Sequence, residues 1–491
     1  MISDHADVFI GGEWVPSAAR DRSPVVNPAT EAIWARVPAG STADIDAAVT
    51  AARGAFPAWR TTSPGDRAAA LRTLAGEIEA RSGEFTRLTT AENGTPVAES
   101  SAAAPHAAAH LRHVAGLAGL LEADDARANP MAPGHSIVRR VPLGVAGLIT
   151  PWNFPLGIII LKLAPALLAG CTTVIKPAAE APMAARLLME AVAAAGLPPG
   201  VVNLVTGADD AGAALVSHPG VDKISFTGST AVGRRIGESC GRQLRPVTLE
   251  LGGKSPAVVL DDADAGVLAA NILRVAMRNT GQTCKACTRL IVPASRHDEL
   301  LDLVADVVAS APIGDPTDPQ TFFGPLVSAR QRERVLGYLD LGRAEGAKPV
   351  VGGGTPAHLD RGFYVEPTVF RDVGPGMRIA REEIFGPVLV VIPYDTVDDA
   401  ARIANDSDYG LAAAVFSEDL DRALAFAARL DTGNVGINQY GSNAAAPFGG
   451  HKASGLGTEQ GPEGLAQYLA LTSIHRPDAL TRPAAGKEGW A

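Results

Sequence analysis

The segment RNTGQTCKACTR, residues 278–289, carries two of the four cysteines in a chain of 491 residues. Cys284 lies there among small and polar residues, surroundings in which a thiol can lose its proton and meet an electrophile. It is a candidate nucleophile; the alternative is the common fate of a free cysteine, a small buried apolar residue. A thiolate that attacks a carbonyl needs a donor for the oxygen it charges and a base for the steps that follow. Asn153, held between an indole and a phenyl ring in PWNFP, has the amide for the first task, although a proline-framed turn whose rings simply pack reads the same way. Glu250, flanked by leucines in TLELGG, has the carboxylate for the second, since partial desolvation raises its proton affinity. A strand glutamate facing solvent is the alternative.

Two further stretches have the chemistry of anion binding. KISF at 223–226 reads as a strand, followed by Thr227-Gly228-Ser229 and the helical run that ends RRIGESC. A glycine turn opening a helix offers backbone N–H groups and the positive end of a dipole to a phosphate, and Ser229 adds a hydroxyl. The spacing is GxxxxG and not the GxGxxG of dinucleotide sites, so an ordinary turn stays open. Lys176 ends the strand TTVIK, at the edge of a sheet where ligands bind in open α/β folds, or stands there simply solvated.

The elements that must position these residues follow from the pattern. FIGGEWV at 9–15 and NPAT at 27–30 predict short strands and turns punctuated by Gly11-Gly12, and 42–118 predicts packing helices capped at Ser41 or Thr42 and at Ser63, broken at Gly94-Thr95-Pro96. Around 128–141 the composition shifts to Pro, Gly and β-branched residues, predicting a projecting hairpin. From Gly144 short β-rich runs alternate with Ala- and Leu-rich runs, and a second such section begins near Ser255 and closes with VGIN at 435–438. The fold class is α/β with parallel sheets. The segment Tyr468–Pro477 returns to a strand-like pattern, and no fixed-period repeat is present.

Composition bounds the partners. The net charge of -10 is spread without a long basic run, which argues against nucleic acid and anionic membrane surfaces and for small molecules. Lys162 and Pro165 interrupt the most apolar stretch, 155–175, so no transmembrane segment is expected. Few cysteines and an N-terminus without a secretory pattern lead to the expectation of a reducing cytoplasm.

PWNFP at 151–155, IKP at 175–177, FTGST at 226–230, LELGGKSP at 249–256, GQTC at 281–284, EEIFGPV at 382–388 and PFGGHKASG at 447–455 together resemble the aldehyde dehydrogenase superfamily. The motifs stand in the family's order and span nearly the whole chain, and the separation of 34 positions from Glu250 to Cys284 resembles the family's spacing of base and nucleophile. The resemblance implies a Rossmann-like cofactor-binding domain (1–118 and 142–252), an α/β catalytic domain (253–468) and a small β oligomerisation arm and tail (119–141 and 469–491). It implies oxidation of an aldehyde to a carboxylic acid with NAD or NADP through a Cys284 thiohemiacetal and thioester, with Asn153 and the Cys284 N–H stabilising the oxyanion and Glu250 activating water. No metal is called for. Glu383 and Phe385 resemble the residues that hold the nicotinamide ribose and ring, and Trp152, Lys176, Ser229 and Val232 those around phosphate, ribose and adenine. Thr150, Gly228 and Leu251 join them as cofactor contacts, and Phe154 and Phe448 would line the substrate tunnel. A homodimer or homotetramer is expected.

Three departures concern specificity. Ala179 stands where many NAD-preferring relatives carry a glutamate, and losing that charge predicts tolerance of NADP, with NAD still open. Arg278 resembles the carboxylate-gripping arginine of succinate semialdehyde dehydrogenases. Leu161 occupies the place of their second arginine, and a structural ion pair for Arg278 is the alternative. Cys287 forms a CxxC pair with Cys284 and is expected to pack, a reversible disulfide being the other reading. Besides the hydrolytic enzyme, an acylating relative using coenzyme A and a non-catalytic binding protein remain as functional classes.

Overall fold

The computed structural model describes residues 3–122, 125–441 and 443–476 of the chain. Its larger sheet has eight strands, in spatial order Gly455–Leu456, Val247–Glu250, Lys223–Thr227, Val145–Ile149, Thr172–Lys176, Val202–Leu204, Asp7–Ile10 and Glu13–Pro16. The five from Val247–Glu250 to Val202–Leu204 are parallel, and the central ones are buried on both faces, as their unbroken apolar runs require. The short strands expected around Gly11-Gly12 pair antiparallel and form one end of this sheet, both glycines having positive φ.

The expected caps are present. Ser41 and Asp44 form a reciprocal capping box on the helix Thr42–Thr61, Ser63 caps Pro64–Ala80, and Gly94 with φ 78° ends Ser82–Asn93. The helices Pro64–Ala80 and Ala103–Ala115 pack on the helix Pro155–Ala169, which is buried along nearly its whole length. No helix among the described residues is long and apolar enough to cross a membrane.

A second sheet has seven strands, in order Lys348–Val351, Thr368–Arg371, Val388–Tyr394, Arg289–Pro293, Pro256–Val259, Ala413–Phe416 and Val435–Ile437, parallel except at its first member. The strands Asp125–Ala128, His135–Pro142 and Leu469–Arg476 make a separate antiparallel sheet, so the expected hairpin pairs with the strand-like tail. Of the tail, residues 477–491 lie outside the described residues, as do 1–2 and 123–124 of the other expected segments.

Candidate active site

In the larger sheet the strand order reverses between Val145–Ile149 and Lys223–Thr227, and a crevice opens at the carboxyl ends of parallel strands where the order reverses. Thr150, Trp152 and Asn153 follow one of these strands, Gly228 and Ser229 the other, while Lys176 and Glu250 end their neighbours. Ser229 caps the helix Thr230–Arg242 by accepting from the Val232 N–H at 3.4 Å, and Leu251 is buried beside it. The hydroxyls of Thr150 and Thr227 are buried without a hydrogen-bond partner. Lys176 is buried as well, which lowers its proton affinity against the opposing charges of Glu180 and Asp209. Orphaned hydroxyls, a buried lysine and a helix N-terminus fit an anionic ligand rich in hydroxyl groups, as a nicotinamide dinucleotide is.

The loop that carries Cys284 starts where the helix Ala265–Ala276 ends. Asn279, Thr280 and Gly281 have φ of 52°, 55° and 72° in succession. Left-handed backbone is costly for a β-branched threonine and persists only where its surroundings over-determine it. Here they do: Asn279 Oδ1 accepts from the Thr95 hydroxyl at 2.9 Å, its N–H donates to Glu99, and Thr280 donates to the Gly324 carbonyl at 3.2 Å. Gly281 approaches the Gly386 carbonyl so closely that no Cβ fits between them.

The same clamp holds the oxyanion candidate. Asn153 Nδ2 donates to the Gln282 carbonyl at 2.9 Å, leaving its second N–H uncommitted, and Asn279 Nδ2 donates back to the Asn153 carbonyl at 3.0 Å. Asn93 holds the Trp152 carbonyl at 3.1 Å. The segment PWNFP and the cysteine loop are thus one hydrogen-bonded unit.

Cys284, Glu250, Phe154, Leu161, Arg278 and Phe448 line one cavity of about 700 Å³. Glu250 is 3% exposed, which removes the solvent-facing alternative, and neither carboxylate oxygen has a partner. Burial first, then the charge of Glu459, raise its pKa well above the carboxylate range, with Lys162 opposing. Lys162 and Glu459 form a buried ion pair, and Lys162 also donates to Ser225 at 3.2 Å. The Cys284 thiol is pushed up to about 12, by burial and then by Glu383 and Glu250.

Between these groups runs Gly252-Gly253. The Gly253 N–H donates to Glu383 at 3.0 Å, and a Cβ on Gly253 would lie 2.6 Å from the Cys284 carbonyl, so the carboxylate and the cysteine loop meet across bare backbone. Burial lifts the Glu383 pKa to about 7. Phe385 meets the Trp152 ring edge-on at 5.4 Å, and its carbonyl accepts from Gln331 at 2.8 Å. EEIFGPV, PWNFP and GQTC therefore converge.

The departures resolve unevenly. Arg278 pairs with Glu99 at 2.5 Å, its guanidinium 5.2 Å from the centre of the Phe154 ring. Cys287 is fully buried in the core with Val275, Leu290 and Tyr440 around it. Beside Ala179, Glu180 stands 3.5 Å from Arg330. Lys162, Glu459, Glu99 and Lys285 escaped sequence reasoning as parts of the site. Lys162 had left a signal, since a single lysine inside an apolar helix demands a buried partner; Glu459, in a glycine-rich turn, had none.

The model of the aldehyde dehydrogenase family matches residues 14–474. The chain is 46% identical over 478 residues to geranial dehydrogenase of Castellaniella defragrans, covering 97% of this chain and 99% of that one. A crystal structure of a Mycobacterium tuberculosis aldehyde dehydrogenase complexed with NAD+ superposes with a TM-score of 0.95 at 43% identity, covering 98% of this chain and 100% of that one. An aldehyde dehydrogenase mutant of Pseudomonas syringae complexed with NAD+ and octanal superposes with a TM-score of 0.92 at 42% identity, covering 95% and 96%.

Proposed function

The chain belongs to the aldehyde dehydrogenase family, and from that premise we propose that it oxidises an apolar aldehyde to the carboxylic acid with Cys284, Asn153 and Glu250 as its catalytic residues. The observation that carries this reading is the placement of Cys284 and an unpartnered, buried Glu250 on one cavity, with Asn153 bonded to the cysteine loop. Cys284 sulfur bonds to the aldehyde carbon, and the carbonyl π pair moves to oxygen. The free N–H of Asn153 and the Cys284 N–H receive that oxyanion. NAD or NADP, when bound, supplies the hydride acceptor. Loss of the hydride leaves a thioester on Cys284. Glu250 then takes a proton from water, whose oxygen attacks the thioester carbon, and the acid departs as Cys284 regains its sulfur charge. The base beside the thioester argues for water as the acceptor over coenzyme A.

For the cofactor we assign Lys176, Ser229, Gly228 and Val232 to phosphate, ribose and adenine, with Thr150, Trp152 and Leu251 beside them and Glu383 and Phe385 at the nicotinamide end. Arg330 partly offsets the charge of Glu180, which supports use of NADP beside NAD. The substrate class follows from the cavity wall, where Phe154, Leu156, Ile158 and Leu161 are apolar and Arg278 is neutralised by Glu99. This disfavours a carboxylated substrate, and the similarity to a geranial dehydrogenase points the same way.

Our division of the chain keeps the cofactor-binding domain at 1–118 and 142–252, the catalytic domain at 253–468, and the arm and tail at 119–141 and 469–491. The strand Leu469–Arg476 exposes Leu471 and Ile474 at the edge of its sheet, and we assign this edge to homodimer or homotetramer contact. The four free cysteines support a cytoplasmic location. The test is NAD(P)H absorbance on adding aliphatic, aromatic and carboxylated aldehydes, with NAD and NADP at equal concentration and products identified with and without coenzyme A. Acid formed without coenzyme A, fastest from apolar aldehydes, is the expected outcome. Acyl-coenzyme A as the sole product would overturn it.

A further inference from the structure

The surroundings of Cys284 oppose the thiolate that its chemistry requires. It is half-buried at the cavity wall, and the carboxylates of Glu383 and Glu250 both act to keep the proton on sulfur. The residue that follows it in the chain is a lysine. Lys285 lines the same cavity, with its ammonium 4.3 Å from the centre of the Tyr440 ring, and Tyr440 also lines that wall. A ring face at this distance holds an ammonium in place by cation–π attraction.

We propose that the Lys285 ammonium, seated on Tyr440, is the positive charge that populates the Cys284 thiolate, which makes Lys285 a positioning residue for the nucleophile. This rests on Cys284 being the nucleophile, as read above. Lys285 acts on Cys284 twice, since its backbone N–H supports the sulfur charge and its side-chain charge lowers the thiol pKa. Several groups act on Lys285 in turn. Burial brings its pKa down to about 8, the sulfurs of Cys284 and Cys287 favour its charged form, and Arg278 opposes it. Arg278 is itself engaged with Glu99, so its charge is spent elsewhere. Lys285 acts in this role while protonated, at pH below about 8, and the proton from sulfur passes to the Glu250 carboxylate or to water. Cys171, Cys240 and Cys287 are buried, which leaves Cys284 as the thiol open to reagents.

The test is the pH dependence of alkylation by iodoacetamide, in which the thiolate sulfur bonds to carbon as iodide leaves, measured on the full chain without cofactor. Lys285→Met is expected to move the midpoint up by a unit or more, which at a pH on the rising limb is about a tenfold loss of rate. Lys285→Arg retains the charge and should restore the wild-type midpoint. Tyr440→Leu, which removes the seat of the ammonium, should shift it in the same direction by less. A Lys285→Met profile that coincides with the wild type, or a Lys285→Arg profile shifted as far as Lys285→Met, would overturn the proposal. Cys284→Ala separates the two readings. If it still turns over aldehyde, the nucleophile assignment fails; if it is inactive and unlabelled while Lys285→Met leaves the profile unmoved, only the role of Lys285 fails.

Discussion

Asn153 donates its side-chain amide to the Gln282 carbonyl across 2.9 Å, and so fixes the proposed oxyanion donor to the loop that holds Cys284, the proposed nucleophile. Donor and nucleophile keep their separation because they share this bond. Asn153→Ala removes the donor and should lower kcat by about 10²–10³-fold with little change in KM, the size of effect seen for loss of one oxyanion-hole donor. Steady-state kinetics on a single good aldehyde checks this, and an effect confined to KM would place Asn153 in binding.

Glu250→Gln should separate the two halves of the reaction. Thioester formation survives and hydrolysis does not, so a pre-steady-state burst of NAD(P)H should be followed by turnover slowed about 10²-fold or more, the range expected for loss of a general base. In the wild type the pH profile has a predictable sign. A carboxyl whose pKa is raised is protonated, and useless as a base, until the pH exceeds that raised value. The rate should therefore rise with pH through a limb lying well above the ordinary carboxylate range. A limb at ordinary carboxylate pH would show that Glu250 is solvated when substrate is bound.

The Lys162–Glu459 pair makes a prediction about stability. Removing one partner of a buried ion pair leaves an uncompensated charge, so Lys162→Met should cost about 3–5 kcal/mol. Replacing both, with Lys162→Met and Glu459→Gln, should recover much of that, as a thermal or urea unfolding double-mutant cycle would read. Because Lys162 opposes the rise in the Glu250 pKa, Lys162→Met should also move the hydrolytic limb to higher pH.

Glu99 pairs with the Arg278 Nε, and on the proposed reading Arg278 does not grip a substrate carboxylate. Arg278→Ala should change kcat/KM for a carboxylated semialdehyde and for hexanal by the same factor, within about threefold, or about 0.7 kcal/mol. Glu99→Gln releases the arginine and should raise kcat/KM for the carboxylated aldehyde alone. A loss in Arg278→Ala confined to the carboxylated substrate would restore the gripping role.

Much of this was legible in the residues themselves. The alternation of β-rich and Ala-rich runs gives two parallel sheets, and the helix caps at Ser41 and Ser63 sit where small hydroxyl residues precede apolar periods. Cys284, Glu250 and Asn153 were readable as candidates because each belongs to a local motif with a chemical reason. Glu99, Glu459 and the seat of Lys285 on Tyr440 were not, because each acts through a partner more than a hundred positions away, and charge pairing at that range leaves no periodicity. Arg278 shows the cost: its type was legible, and its meaning depended on Glu99.

The bond from Thr95 to Asn279 joins residues 184 positions apart. During synthesis Asn93, at the end of a helix, and Thr95, in the turn that follows it, emerge long before the cysteine loop. That loop has a backbone it would not adopt alone, and it acquires its shape only by docking on a surface already built. The proposed nucleophile is in this sense armed last. A chain truncated on the ribosome, or one whose two sheets have not met, has an ordinary thiol at residue 284 and no oxyanion donor beside it. Reactivity toward aldehydes thus becomes a certificate of complete assembly.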